Sequence, residues 1–214
     1  MSLFWNKSAK NDRHPGYPDL PLDLRVGAIL NLDLGEILRY EGLDLTVALP
    51  QEELIVSGVS SQNLFGMRIA RVYANQGEVR WLVQLNCEAD GTPKDVSVFT
   101  CTQEIYPPNA EEWDVWLGEG GLIGGPDINA PNGKTYQRAW GQGQYMPPVE
   151  SDEAVYADAK AAPASIAHKM MLYSRDLGDE ATEYMFLSAD ETPDEALVRV
   201  WVGVSMFTGA LKVF

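Results

Sequence analysis

The chain is predicted to fold as a β-rich α+β protein, mainly antiparallel sheet built from two similar meanders with one short connecting helix. Three observations predict this. Apolar residues alternate with period two in seven separate segments, one segment carries a capped helical pattern, and the chain resembles itself when shifted by about one hundred residues.

Taken in order, residues 1–23 read as an extended lead-in, because Pro15, Gly16, Pro18 and Pro21 interrupt a mostly polar stretch. A first β-rich half follows over 24–118, with strand-like runs near 53–59, 65–74, 79–87 and 94–105. The third run is the clearest: Val79, Trp81, Val83, Leu85 and Cys87 alternate with Arg80, Gln84 and Asn86. This half ends in a helix over 109–118. Pro107 and Pro108 stop the preceding strand, Asn109 can cap, and Glu112 stands three residues later as its capping-box partner. Ala110, Trp113, Trp116 and Leu117 then share one face, which is expected to pack onto a sheet, and Gly118 is expected to supply a left-handed stop. Residues 119–135 form a Gly/Pro-rich connector, and 136–214 a second β-rich half with runs near 168–175, 183–188 and 196–206.

The self-similarity rests on short landmarks. Arg39-Tyr40-Glu41-Gly42 answers Arg138-Ala139-Trp140-Gly141, Glu52-Glu53-Leu54-Ile55 answers Asp152-Glu153-Ala154-Val155, and Val72-Tyr73 answers Leu172-Tyr173. Thr92-Pro93 likewise answers Thr192-Pro193. An internal duplication of a β-meander is the expectation, and its structural test is whether the halves share strand order.

Composition narrows the function. With 214 residues, 45% apolar and 22% charged, the chain is large enough for a sizeable core. A net charge of −15 repels phosphate backbones and anionic lipid alike, so nucleic acid is not an expected partner, whereas a basic protein partner is admissible. Cys87 and Cys101 fall on neighbouring strands of one hairpin, offset by roughly seven residues or about 23 Å, so two free thiols are expected. Two cysteines and the separated His14 and His168 lack the spacing of a zinc site, and no metal or other cofactor is expected. No transmembrane run or signal-peptide core is seen, which points to the cytoplasm. Leu3, Phe4 and Trp5, followed by Lys7, Lys10 and Arg13, form a tip suited at most to weak peripheral membrane contact.

No catalytic residue stands out. The glycines of 118–125 and the string Gly133-Lys134-Thr135 do not combine into a phosphate loop, since Ile128 stands where a glycine is required and Pro131 interrupts. Carboxylates are too abundant to single out a pair, and there is no Gly-x-Ser-x-Gly elbow. His168 reads as a structural histidine. The distinctive cluster is aromatic and basic: Arg138, Trp140, Tyr173 and Arg175, with Arg39 and Tyr40 as the counterpart in the other half. Guanidinium groups fork onto carboxylates and stack on rings, so these arginines either pair internally or form a binding site.

The strings Leu22-Asp23-Leu24-Arg25-Val26-Gly27-Ala28, Tyr136-Gln137-Arg138-Ala139-Trp140, Met171-Leu172-Tyr173-Ser174-Arg175 and Glu183-Tyr184-Met185-Phe186-Leu187-Ser188 resemble the bacterial YjfK-like family of unknown function. That resemblance transfers no catalytic residues. It implies a genomic setting beside a phage-shock-type membrane-stress protein, small membrane proteins and a ligase resembling glutathionylspermidine synthase. Two functions follow as expectations: a non-catalytic binding or accessory module linked to a membrane-stress assembly, or an enzyme, a hydrolase or transferase, acting on a small cationic amine or peptide conjugate.

Overall fold

The computed structural model describes residues 13–51 and 53–214. The expected membrane-touching tip at Leu3, Phe4 and Trp5 lies outside the described residues. In chain order the regular elements are β1 (Ile29–Leu32), α1 (Leu34–Leu38), β2 (Leu54–Leu64), β3 (Met67–Gln76), β4 (Val79–Cys87), β5 (Pro93–Ile105), α2 (Ala110–Leu117), β6 (Asp127–Asn129), β7 (Thr135–Arg138), β8 (Val149–Val155), β9 (Ala164–Gly178), β10 (Ala181–Glu191), β11 (Ala196–Met206) and β12 (Leu211–Val213). No helix among the described residues is long and apolar enough to cross a membrane.

The strands form one antiparallel sheet in the order β12-β1-β2-β3-β4-β5-β11-β10-β9-β7-β6, with β8 also paired to β9. Two up-and-down meanders, β2 to β5 and β8 to β11, make up its centre. They meet last strand to last strand, β5 on β11. They also meet at their first strands, where Tyr156, just past β8, exchanges backbone hydrogen bonds of 3.0 and 2.9 Å with Val59 of β2. The sheet keeps open ends at β12 and β6, but its eight central strands curl into a ring closed by that single bridge, a size at which side chains fill the interior.

The strand plan thus repeats, and Thr92-Pro93 and Thr192-Pro193 both stand at the turn between the third and fourth strands of a meander, while other landmarks do not fall at equivalent places. Arg39-Tyr40 follows α1, whereas Arg138 ends β7. Tyr73 points into the ring and donates to Glu153, while Tyr173 lies on the outer face and donates to the carbonyl of Leu122. Side chains alternate faces with period two, so these tyrosines are alike as strings and opposite in placement.

Both faces of the ring are covered. Outside the first meander, Val56, Val72, Val83 and Val98 are buried under Leu20, Leu24, Leu30, Tyr40 and Leu49 of the N-terminal segment. Outside the second, Met171, Met185, Leu187, Val198 and Val200 are buried under Ile123 and Ile128, with Trp113 and Trp116 of α2 packed against them. Inside sit Leu82, Phe99, Met170, Phe186 and Trp201. Burial on two faces at ordinary transfer values of about 25 cal/mol per Å² makes the sheet the main stabilising body.

The helix starts as its sequence requires: the Asn109 side chain accepts from Glu112 N at 2.9 Å. Its end differs from the expectation. Gly118 has φ −64°, not left-handed, and glycine is needed there because a Cβ would stand 2.5 Å from the Asp114 carbonyl oxygen. Cys87 is buried, Cys101 half-buried, and both are free thiols.

Candidate functional site

The ring's inward face is not purely apolar. Charged and hydroxyl side chains from five strands converge there: Ser60 of β2, Arg71 and Tyr73 of β3, Glu153 of β8, His168 of β9, and Ser188 and Asp190 of β10. Arg71 and Glu153 are each only 1% exposed. Arg71 Nη1 donates to Glu153 Oε2 at 2.8 Å, and its guanidinium lies over the Phe186 ring. Ser60 Oγ and Tyr73 Oη also donate to Glu153. Such a buried pair survives only with its polar atoms partnered, and each Arg71 nitrogen has one bond: Nε to Gln84, Nη1 to Glu153 and Nη2 to Met170 Sδ.

His168 joins this centre to a second carboxylate. Its Nε2 stands 2.8 Å from Glu153 Oε2 and its Nδ1 2.7 Å from Asp190 Oδ1. Asp190 in turn accepts from Arg199 Nη1 at 2.5 Å, and Arg199 Nε donates to Glu104 at 2.9 Å. The chain of charges therefore runs from Arg71 across the ring to Arg199. Burial pushes the Glu153 carboxyl up, but the Arg71 charge and the His168 bond outweigh it and hold the group at about 2. Burial would lower the His168 imidazole, but its bonds to Asp190 and Glu153 outweigh it and hold it above its ordinary value. Burial and the nearby Glu153 carboxylate raise the Tyr73 phenol well above its usual range.

Ser188, His168 and Asp190 are the residue types of a hydrolytic triad, but not its arrangement. Ser188 Oγ donates to Asp190 and also lies 3.2 Å from His168 Nδ1, but that nitrogen has its shorter contact, 2.7 Å, with Asp190 Oδ1. Both ring nitrogens of His168 face carboxylate oxygens, and only the doubly protonated ring can donate to both. An imidazolium so held has no bare nitrogen with which to take a proton from serine.

A third buried carboxylate, Glu183, lies on the outer face. It accepts from Thr46 N at 2.5 Å, Thr46 Oγ1 at 2.9 Å, Tyr136 Oη at 2.6 Å and Arg175 Nη2 at 2.7 Å. Arg175 also donates to the Asp44 carbonyl, and Lys134 pairs with the Asp44 carboxylate at 2.8 Å. These bonds staple the loop around Asp44 to the second meander. Burial and the bond to Glu183 push the Tyr136 phenol up to about 12.

The six residues singled out from sequence are distributed as follows. Arg175 is held by Glu183 as just described. Arg138 and Tyr173, paired across β7 and β9, both hold the glycine connector: Arg138 donates to the carbonyls of Gly124, Gly125 and Gly143, and Tyr173 Oη accepts from Gly124 N at 3.0 Å. Trp140 is half-buried between Phe65 and Phe186, with ring centroids at 5.2 and 6.2 Å. Tyr40 is buried and donates to the Ser205 carbonyl. Arg39 pairs with Glu36 at 3.0 Å and lies over the Phe207 ring. The sequence groups Arg138, Trp140, Tyr173 and Arg175, with Arg39 and Tyr40 as counterpart; the structure sets Arg138 beside Tyr173 and gives the other four separate partners, and the centre of Arg71, Glu153 and Asp190 was missed. The available signal was Arg71 itself, a charge flanked on both parities by Ile69, Ala70, Val72 and Tyr73.

Open space lies at the margins of this centre. A hollow of about 510 Å³ forms a groove between α2 and strands β8, β9 and β10. Its lining includes Trp113, Leu117, Ala167, Ala189 and Ala196, with Glu150, Asp152, Glu191 and Lys169 around them. Lys169 already faces Glu150 at 3.6 Å, so the rim is left with net negative charge.

Fold and site define an antiparallel β-ring protein with a paired charge centre inside and hollows at its margins. The chain belongs to the family described as "Protein of unknown function (DUF2491)", which matches residues 3–212. No curated protein and no solved structure matches it.

Proposed function

We propose that the chain is a non-catalytic binding module whose α2 groove takes a basic segment of a protein partner. The observation that carries this is the groove's make-up: an apolar floor from Trp113, Leu117 and the three alanines, under a rim on which Glu150, Asp152 and Glu191 outnumber Lys169. A lysine or arginine side chain lays its apolar stem on such a floor and keeps its charge at the rim. The overall charge of −15 steers the same class of partner. The alternative, a hydrolase or transferase acting on a cationic amine or peptide conjugate, needs a group free to move a proton, and the bonding of His168 and Ser188 argues against it. The YjfK-like resemblance supports reading such a module as an accessory to a membrane-stress assembly.

The test is an NMR titration of the full chain with a hexalysine peptide. Expected are shifts of the Trp113, Lys169 and Ala189 amide signals, an affinity that falls as salt is raised, and roughly tenfold weakening by Asp152→Asn with Glu191→Gln. Shifts scattered over the whole surface, or no effect of the double substitution, would refute the reading.

A further inference from the structure

A smaller hollow of about 280 Å³ is the ring's own mouth, bounded by β4, β5, β10 and the β2–β3 hairpin. It is below the roughly 300–1,000 Å³ typical of pockets for drug-sized ligands, so its occupant is small. One wall is apolar: Leu64, Ile69 and Phe99, with the rings of Phe65, Trp140 and Phe186. Phe65 meets Trp140 at an interplanar angle of 76°, and Trp140 meets Phe186 at 67°, so the rings stand like adjoining sides of a box.

Phe65 is an odd choice for its position. It sits at the hairpin tip with φ +53°, where glycine or asparagine is the usual residue, and its side chain remains largely exposed at 58%. Neither backbone preference nor burial accounts for it. Its ring rests on Trp140 at the mouth.

The opposite wall is polar and directional. Arg71 Nε donates to Gln84 Oε1 at 3.0 Å, Gln84 Nε2 to Asn86 Oδ1 at 3.3 Å, and Asn86 Nδ2 to Asp95 Oδ1 at 2.6 Å. The relay starts on the buried guanidinium and ends on a carboxylate lining the mouth. Asp95 Oδ2 has no hydrogen-bond partner, and Asp95 no ion pair, among the described residues. Burial raises its carboxyl above the ordinary value, against the weaker pull of Asn86 and Lys94. Lys94 pulls on it without forming an ion pair, so this half-buried carboxylate keeps a free oxygen beside the aromatic rings.

We propose that the mouth binds a small protonated alkylamine, its ammonium donating to Asp95 Oδ2 and its alkyl body lying against Phe65, Trp140 and Phe186. The full chain is titrated with n-butylammonium and, separately, with n-butanol, the neutral analogue of the same length, following tryptophan fluorescence and backbone amide shifts. The amine should perturb Phe65, Asp95 and Trp140 and bind at least about tenfold more tightly than butanol, the scale of one hydrogen bond to a charged group. Asp95→Asn should bring the amine down to the alcohol's affinity and leave the alcohol unchanged. Equal binding of amine and alcohol would overturn the proposal, as would absence of saturable amine binding or amine shifts centred on Trp113 and Lys169 instead. The comparison on the native chain decides even if the substituted protein fails to fold.

Discussion

Replacing Glu153 by glutamine removes the negative charge at the centre of the ring while keeping the side chain's shape. The carboxylate accepts from Ser60, Arg71, Tyr73 and His168, and neither it nor Arg71 reaches solvent. The amide leaves two buried cations facing a neutral group, one end of which is itself a donor. Leaving one partner of a buried pair uncompensated costs about 3–5 kcal/mol. Proton linkage leads to a similar figure: a carboxyl held at about 2 instead of 4.5 corresponds to about 3 kcal/mol. Against a total domain stability of about 5–15 kcal/mol this is a large share. Urea denaturation at pH 6, followed by tryptophan fluorescence, should show Glu153→Gln losing that amount. Since the native advantage is present above pH 4.5 and is lost as pH falls toward 2, the gap between the proteins should close over that interval. Adding Arg71→Met should cost less than the two single losses summed, because the stranded cation is then gone. A loss below about 1 kcal/mol, the range of an exposed pair, would refute the reasoning.

His168 gives the opposite sign. Its imidazole is held above 6.5, so its contribution is complete below pH 6.5 and is lost as pH rises through the folded value. With Glu153, this predicts a melting temperature highest between about pH 4.5 and 6.5, and His168→Gln should flatten the alkaline side; an unchanged alkaline profile would count against it. Gly203 of β11 has no room for a methyl, which would overlap the Val98 carbonyl and Phe99 backbone of β5; Gly203→Ala should cost about 1–3 kcal/mol or more in thermal unfolding. Asn109→Ala, removing the cap of α2, should cost only about 1 kcal/mol. That change should loosen the Trp113 wall of the groove, readable as faster amide exchange in α2.

The parts of the fold legible in the sequence are those whose outward faces alternate cleanly. In β4, Trp81, Val83, Leu85 and Cys87 are buried on one side as their spacing predicts, and α2 begins at its Asn109 cap. β8 left no such trace. Its sequence Val149-Glu150-Ser151-Asp152-Glu153-Ala154-Val155 is rich in acids because its inward side supplies polar groups to the ring and its outward side lines the groove. Alternation assigns charge to solvent, and this ring places charge on both sides of the strand. The same effect hid the site: Arg71, Glu153 and His168 belong to different strands, distant in sequence, and meet only after closure. Arg138 and Tyr173 were legible as neighbours of unusual chemistry, but nothing local marks that their partners are the backbone carbonyls of the glycine connector. Short strands such as β1, β6 and β12 carry three or four residues each, too few for any period to register.

The inward histidine is either held as a cation between two acids or free to exchange protons, and that difference separates a structural interior from a reactive one. The side-chain 15N spectrum of the full chain, followed from about pH 6 upward, reads this directly. His168 should show both ring nitrogens protonated at about pH 6, with slowly exchanging N–H signals on the Glu153 and Asp190 sides, and should titrate above 6.5. A neutral ring with one bare nitrogen, titrating at or below 6.5, would leave a base beside Ser188 and contradict a structural interior.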